Sequence, residues 1–296
     1  MFDFENIVLA KSVEEAVAAL SANEKARVIS GGTDVLIKIR EGKYAGCDLV
    51  SIHDIPELHG IKLTEDGCIH IGPTTTFVEL TNSPIIMERI PVLGRAADTV
   101  GGPQIRAMGT VGGNISNGVT SADTATTLLN LEAELTLTSP AGERKVNVND
   151  YYLGAGRVCL EPAEILTDIC IKPENYQGFG GCYIKYAMRN AMDIATLGTS
   201  CLVKPGKGGV VEAIRLAFGV AAPVPMRARN TERELTGKSY KEAVEAIAGL
   251  VRGEITPRTS WRASREFRLQ IAGENARRAL EAAWAEAGGE DRKSVV

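Results

Sequence analysis

Two short segments combine bare backbone with small polar side chains, a pairing suited to holding an anion. Val28-Ile29-Ser30-Gly31-Gly32-Thr33-Asp34 closes an apolar run with two glycines. Gly109-Thr110-Val111-Gly112-Gly113-Asn114-Ile115-Ser116-Asn117 repeats the design later in the chain. Glycine lets a backbone reach φ > 0 and lets another group approach closely. Successive N–H groups in such a turn form an anion-binding concavity. Two of these turns facing each other would hold a diphosphate without a lysine. Ser30, Thr33, Asp34, Thr110, Asn114 and Ser116 would add hydrogen bonds to phosphate or ribose. The same residues also read as plain tight turns, in which Asn and Asp tolerate the left-handed region. Neither segment is GxGxxG. Gly154–Cys159 (GAGRVC) lacks the third glycine of that fingerprint, and GxxxxGK[ST] is absent. On residues alone, the ligand is a dinucleotide or another diphosphate.

The elements that must position these segments can be read in outline. Ser12 and Glu15 suit a capping box opening the helix VEEAVAALSA. Residues 26–30 (ARVIS) read as a short buried strand that delivers the first glycine pair, and the second segment reads likewise as a glycine turn at a strand end. Asp48–Ile55 and Cys68–Gly72 read as strands, Thr76 and Glu79 as a second capping box, and Ile90–Val100 as a helix with Pro91 in its first turn. A helix over Ala122–Leu131 and strands over Ala133–Thr138 and Glu164–Pro173 follow. The glycine cluster at 175–181 marks a boundary. Beyond it, three strand-like runs (182–189, 194–204, 210–221) suggest an antiparallel meander, and a helical tail follows. The order implies an α+β chain of two unequal domains, 1–175 (subdomains about 1–56 and 57–175) and 176–296.

Composition excludes several classes. Lys and Arg number 33 against 37 Asp and Glu, a net charge of −4, which disfavours a nucleic-acid partner. No apolar run approaches the roughly 20 residues needed to span a bilayer, so no membrane insertion is expected. The N-terminus is acidic where a signal peptide is basic, which points to a cytoplasmic protein. The six cysteines form no CxxC pair and the three histidines no HExxH, so no metal ligands are expected. Neither paired carboxylates nor a nucleophile triad is recognisable, and no catalytic residue is assigned. In Thr259–Arg268 (TSWRASREFR), Trp261 and Phe267 are expected to pack inward at a helix start, the alternative being contact with a partner.

Several motifs occur together in order: ISGGTDVLI, GGPQIRAMGTVGGNISNGVTSAD, EILTDICI, KYAMRNAMDIATLG, RLAFGVAAPVPMRA and SWRASREFRLQ. Together they resemble the FAD-binding medium subunit of molybdenum hydroxylases, over nearly the whole chain. TSADTAT, KYAMRNAMDIATLG and PRTSWRASREFR look closest to the FAD subunit of bacterial xanthine dehydrogenases. The resemblance implies an FAD-binding domain of the vanillyl-alcohol-oxidase type with two subdomains. A smaller C-terminal domain would follow, with a three-stranded antiparallel sheet and helices.

By position, the resemblance places the FAD diphosphate against Val28, Ile29, Ser30, Gly31, Gly32, Thr33 and Asp34, and against Thr110, Gly113, Asn114 and Ser116. Asp123 falls near the adenosine end, Ile165 and Leu166 on a strand lining the cofactor, Lys185 near the flavin, and Thr99 and Val100 beside it. The cysteines that bind an extra [4Fe–4S] cluster in some relatives are not present. The implied role is an electron-transfer subunit working with a molybdenum-binding large subunit and a [2Fe–2S] small subunit, with NAD+ as electron acceptor. The other readings are the FAD subunit of a nicotinate, aldehyde or carbon monoxide dehydrogenase, a stand-alone flavin oxidoreductase of the same fold, and a flavin-free scaffold.

Overall fold

The computed structural model describes residues 2–288. Three larger sheets and one two-stranded ribbon organise the described residues. The first is parallel, in the order β1 (Phe4–Leu9), β3 (Cys47–Ser51), β2 (Arg27–Ile29). Helix α1 (Val13–Ala22) connects β1 to β2 and buries Ala16, Val17 and Leu20 beneath the sheet. Ser12 caps it by accepting the Glu15 N–H, as expected, but the Glu15 carboxylate takes the N–H of Lys11 at 2.6 Å. Helix α2 (Val35–Arg40) leaves directly from the loop after β2.

The second sheet is antiparallel. Its strands are β4 (Ile61–Leu63), β5 (Ile69–Ile71), β6 (Glu134–Ser139), β7 (Gly142–Asn147) and β10 (Ile165–Ile171). They run in the order β4-β5-β10-β6-β7, so β10 sits at the centre. A small hairpin, β8 (Tyr152–Gly154) and β9 (Arg157–Val158), precedes β10. Between β5 and β6 lie helices α3 (Phe77–Asn82), α4 (Pro84–Arg89), α5 (Pro91–Asp98), α6 (Pro103–Met108), α7 (Val111–Ser116) and α8 (Asp123–Asn130). Thr76 and Glu79 form a complete capping box for α3, and Pro occupies the first turn of α4, α5 and α6, where its missing N–H costs nothing. Every residue of α8 is buried, because the helix is covered by α5 on one side and by the third sheet on the other.

That third sheet is an antiparallel meander, β11 (Gly180–Tyr186), β12 (Leu197–Pro205) and β13 (Val211–Gly219), with a two-residue edge strand β14 (Met226–Arg227). Helices α9 (Arg229–Leu235) and α11 (Arg265–Glu286) pack on it, and α10 (Tyr240–Glu254) packs on those two helices. Trp284 of α11 is buried and stacks on Tyr240 at 4.7 Å between ring centroids. The chain is thus α+β, with the strand order read from sequence in its second half. Polar bonds tie α8 to the meander: Asn130 Nδ2 donates to the Ser200 carbonyl at 2.8 Å, and Arg215 donates to the Asn130 carbonyl at 2.8 Å. No helix among the described residues is long and apolar enough to cross a membrane.

Candidate functional site

The β2–α2 loop, α7 and the start of β10 converge on a cleft of about 460 Å³, within the range of small-molecule and cofactor sites. The two glycine segments do face each other across it. They contribute in different ways.

The first segment supplies backbone donors. Among the described residues, none of the N–H groups from Gly31 to Val35 donates to a protein acceptor. Ser30 Oγ is buried and has no partner. Gly32 has φ +73°, which glycine adopts without strain. Gly31 is a glycine for a different reason: a Cβ there would lie 1.7 Å from the Met108 carbonyl oxygen.

The second segment is not the strand-end turn expected from its glycines. It is the helix α7, capped by Thr110, whose hydroxyl accepts the Gly113 N–H at 3.2 Å. The Val111 and Gly112 N–H groups donate to the carbonyls of Thr75 and Pro73 at 3.0 and 2.9 Å. Its first-turn donors are therefore already committed to protein, and the picture of two equivalent backbone concavities is corrected. What α7 offers the cleft is side chains and one open backbone face. Asn114 Oδ1 accepts the Thr124 hydroxyl at 2.6 Å, and among the described residues the amide nitrogen has no acceptor. Ser116 Oγ and the Tyr151 hydroxyl are hydrogen-bonded at 2.8 Å. A Cβ on Gly113 would meet only the Thr110 hydroxyl, at 3.0 Å, whereas one on Gly112 would lie 2.4 Å from the Pro73 Cβ. Gly112 serves packing, and Gly113 keeps the cleft open.

Two cations line the cleft that the sequence reading did not single out. Lys38 Nζ donates to Asn117 Oδ1 and so bridges α2 and α7. Arg27 and Lys38 both lie over the Tyr44 ring, at 5.2 and 5.7 Å from its centroid. A helical spacing from Asp34 to Lys38 would have put this lysine beside the loop. Apolar walls come from Phe77, Val100, Ile105, Ile165 and Leu166. Next to Ile165, the buried Glu164 takes two bonds of 2.7 Å from the Arg144 guanidinium. Burial pulls the Glu164 carboxyl up, but Arg144 and the Glu161 backbone outweigh it and hold it below the usual carboxylate range.

Of the residues expected from sequence, Val28, Ser30, Gly31, Gly32, Thr33 and Asp34 line the cleft on one side. Val100, Thr110, Gly113, Asn114, Ser116, Ile165 and Leu166 complete it. Ile29, Thr99, Asp123 and Lys185 lie outside the lining. Asp123, expected beside ribose, has both carboxylate oxygens engaged by protein. The Tyr183 hydroxyl donates to one at 2.6 Å and Lys185 Nζ to the other at 2.9 Å. Lys185 also donates to the Thr99 carbonyl at 2.9 Å, directly behind Val100. Burial pushes the Asp123 carboxyl up, and the lysine and tyrosine counter it only in part. Lys185 is thus half of a buried ion pair outside the cleft lining, not a free cation within it.

The arrangement fits the diphosphate of FAD. It presents a run of unpaired N–H groups, an orphaned buried hydroxyl, two cations, and a glycine face that a Cβ would fill. Apolar walls suit the flat ring systems at either end. Comparison with known proteins agrees. The family described as "FAD binding domain in molybdopterin dehydrogenase" matches residues 2–173, and "CO dehydrogenase flavoprotein C-terminal domain" matches residues 182–283. The chain is 42% identical to the putative xanthine dehydrogenase FAD-binding subunit of Escherichia coli (strain K12), covering 98% of this chain and 99% of that one. It is 34% identical to the carbon monoxide dehydrogenase medium chain of Hydrogenophaga pseudoflava, over 93% of this chain and 95% of that one. A carbon monoxide dehydrogenase structure from the same organism superimposes with a TM-score of 0.90 at 33% identity, covering 96% and 98% of the two chains. With these similarities spanning both halves of the fold, the chain belongs to the family of FAD-binding subunits of molybdenum hydroxylases, an oxidoreductase flavoprotein whose cofactor is FAD.

Proposed function

We propose that this chain is the flavin subunit of a xanthine dehydrogenase-type purine hydroxylase. In this reading it works with a molybdenum-binding large subunit and a [2Fe–2S] small subunit and delivers electrons to NAD+. The observation that carries the proposal is the 42% identity to a xanthine dehydrogenase FAD-binding subunit over nearly the full length of both chains, against 34% for a carbon monoxide dehydrogenase medium chain. In this reading residues 1–175 are the cofactor-binding unit, divided near residue 56, and residues 176–296 the C-terminal unit; residues 1 and 289–296 lie outside the described residues.

Bound FAD supplies electron acceptance and hydride donation. The protein's own residues do the rest. The N–H groups from Gly31 to Val35, with Ser30 and Thr33, hold the diphosphate from one side, and the Asn114 amide and Thr110 hydroxyl meet it from the other. Lys38 offsets its charge. Val28, Val100, Ile165 and Leu166 exclude water from the cleft wall. The Lys185–Asp123 pair, outside the lining, braces the Thr99 carbonyl next to Val100. In this reading no residue of this chain has to move a substrate proton.

The test is purification of the chain from its host with its companions. Co-purification of a molybdenum-binding chain and a [2Fe–2S] chain, with xanthine-dependent reduction of NAD+, is the expected result. A chain that purifies with FAD and no companions sinks the subunit reading. A complex that oxidises another substrate, or passes electrons only to a different acceptor, sinks the finer assignment.

A further inference from the structure

The segment between α10 and α11 carries a basic and aromatic cluster that the cofactor cleft does not use. Trp261 is 76% exposed and Phe267 is 42% exposed, so the expectation that both pack inward is overturned. The Arg262 guanidinium lies over the Trp261 ring at 4.1 Å and props the indole outward. Arg262 Nε is shielded from water and donates to nothing. Beneath it Arg268 is 1% exposed. It donates to the Thr196 carbonyl at 3.1 Å, to Ser260 Oγ at 2.8 Å and to the carbonyls of Arg258 and Ala263. These bonds hold the segment rigid. Burial, and then the neighbouring Arg258 and Arg262 charges, push Arg268 below the usual arginine range. Among the described residues no carboxylate pairs with Arg258, Arg262, Arg265 or Arg268. Glu266 is the only acid in the segment, and it makes no ion pair. On a chain of net charge −4, this face is an uncompensated basic one.

The cluster continues to the cleft. Phe267 packs edge-on against Tyr186 at the end of β11, with centroids 5.7 Å apart. Exposed Met188, Met192 and Ile194 follow on the next loop. The Met192 N–H donates to the Gly101 carbonyl at 3.2 Å, next to Val100 in the cleft wall.

We propose that this face docks the electron-donating [2Fe–2S] chain, and that the docked surface presents carboxylates around an apolar socket for Trp261. Exposed Trp and Arg anchors are the side chains that dominate protein interfaces. Arg262 is only partly buried and has no carboxylate partner among the described residues, so the reachable part of its guanidinium can take an incoming carboxylate. Continuity with the cleft rim points to the chain that must approach the flavin rather than to one that binds elsewhere. The inference rests on the subunit reading above.

The test uses the FAD-loaded full chain and a separately purified subcomplex of the [2Fe–2S] and molybdenum chains, titrated at low and moderate salt. Trp261→Ala should weaken association by about thirtyfold or more, as for an interface hot spot. Arg262→Glu should weaken it and flatten its salt dependence. Both should keep the parent's flavin content, because neither side chain lines the cleft. If either variant loses flavin or fold, Arg265→Glu, at an exposed position, takes its place. Parent affinity and parent salt dependence in these variants would overturn the docking face while leaving the subunit reading intact. Failure of the parent chain itself to bind the subcomplex overturns both.

Discussion

Gly112 and Gly113 are neighbours in one helix, yet substitution should affect them in opposite ways. A Cβ on Gly113 meets only the Thr110 hydroxyl, at 3.0 Å, and the backbone there is helical. Replacing glycine by alanine inside a helix stabilises it by roughly 0.5–1 kcal/mol. Gly113→Ala should therefore leave the urea midpoint unchanged or slightly raised. The added methyl enters the cleft, however, and crowding a fitted site costs about 1–3 kcal/mol. At about 1.4 kcal/mol per tenfold, FAD affinity should fall by roughly five- to 150-fold, and further for Gly113→Val. Gly112→Ala behaves differently: its Cβ would lie 2.4 Å from the Pro73 Cβ and 2.7 Å from the Pro73 carbonyl oxygen. Overpacking against fixed backbone should lower the unfolding midpoint. The assay pairs urea unfolding of flavin-free protein with fluorescence titration by FAD. Should both Gly113 variants bind FAD within twofold of the parent, the diphosphate does not pass this face and the assignment of the cleft is wrong.

Two further outcomes follow from the buried charges. Asp123→Ala leaves Lys185 buried without its counter-charge, so it should destabilise the fold by about 3–5 kcal/mol in urea unfolding; a loss under about 1 kcal/mol would show that the carboxylate contributes little to the fold and would return it to a ribose-binding role. The Glu164 carboxyl titrates below its ordinary value of 4.5 in the folded chain, so its contribution to stability is present above that pH and is lost as pH falls through the lower folded-state value. Unfolding midpoints measured from pH 6 downward should show this loss in the parent and a shallower slope in Glu164→Gln; identical slopes would refute the pairing with Arg144.

Much of the architecture was legible because its signals are local. The Thr76–Glu79 capping box, the Pro91 that opens α5, and the glycine turn between β12 and β13 each depend on residues a few positions apart. Strand β1 was not legible: all six of its residues are exposed, so no alternation of buried and exposed positions marks it, and only parallel pairing with β3 makes it a strand. Nor was α7, since two glycines argue against a helix. The Thr75 and Pro73 carbonyls, brought from outside the helix, satisfy its first N–H groups and hold it.

By itself the sequence determined the α+β class, the two glycine segments as a diphosphate candidate, and, through its ordered motifs, the flavin-binding family. Tertiary structure alone decided how each glycine is used, which of Asp123 and Lys38 faces the cleft, and that Trp261 points to water. Those outcomes depend on which groups from distant parts of the chain already occupy a donor, an acceptor or a volume. Such competition is absent from local spacing and appears only once the sheets and helices are packed.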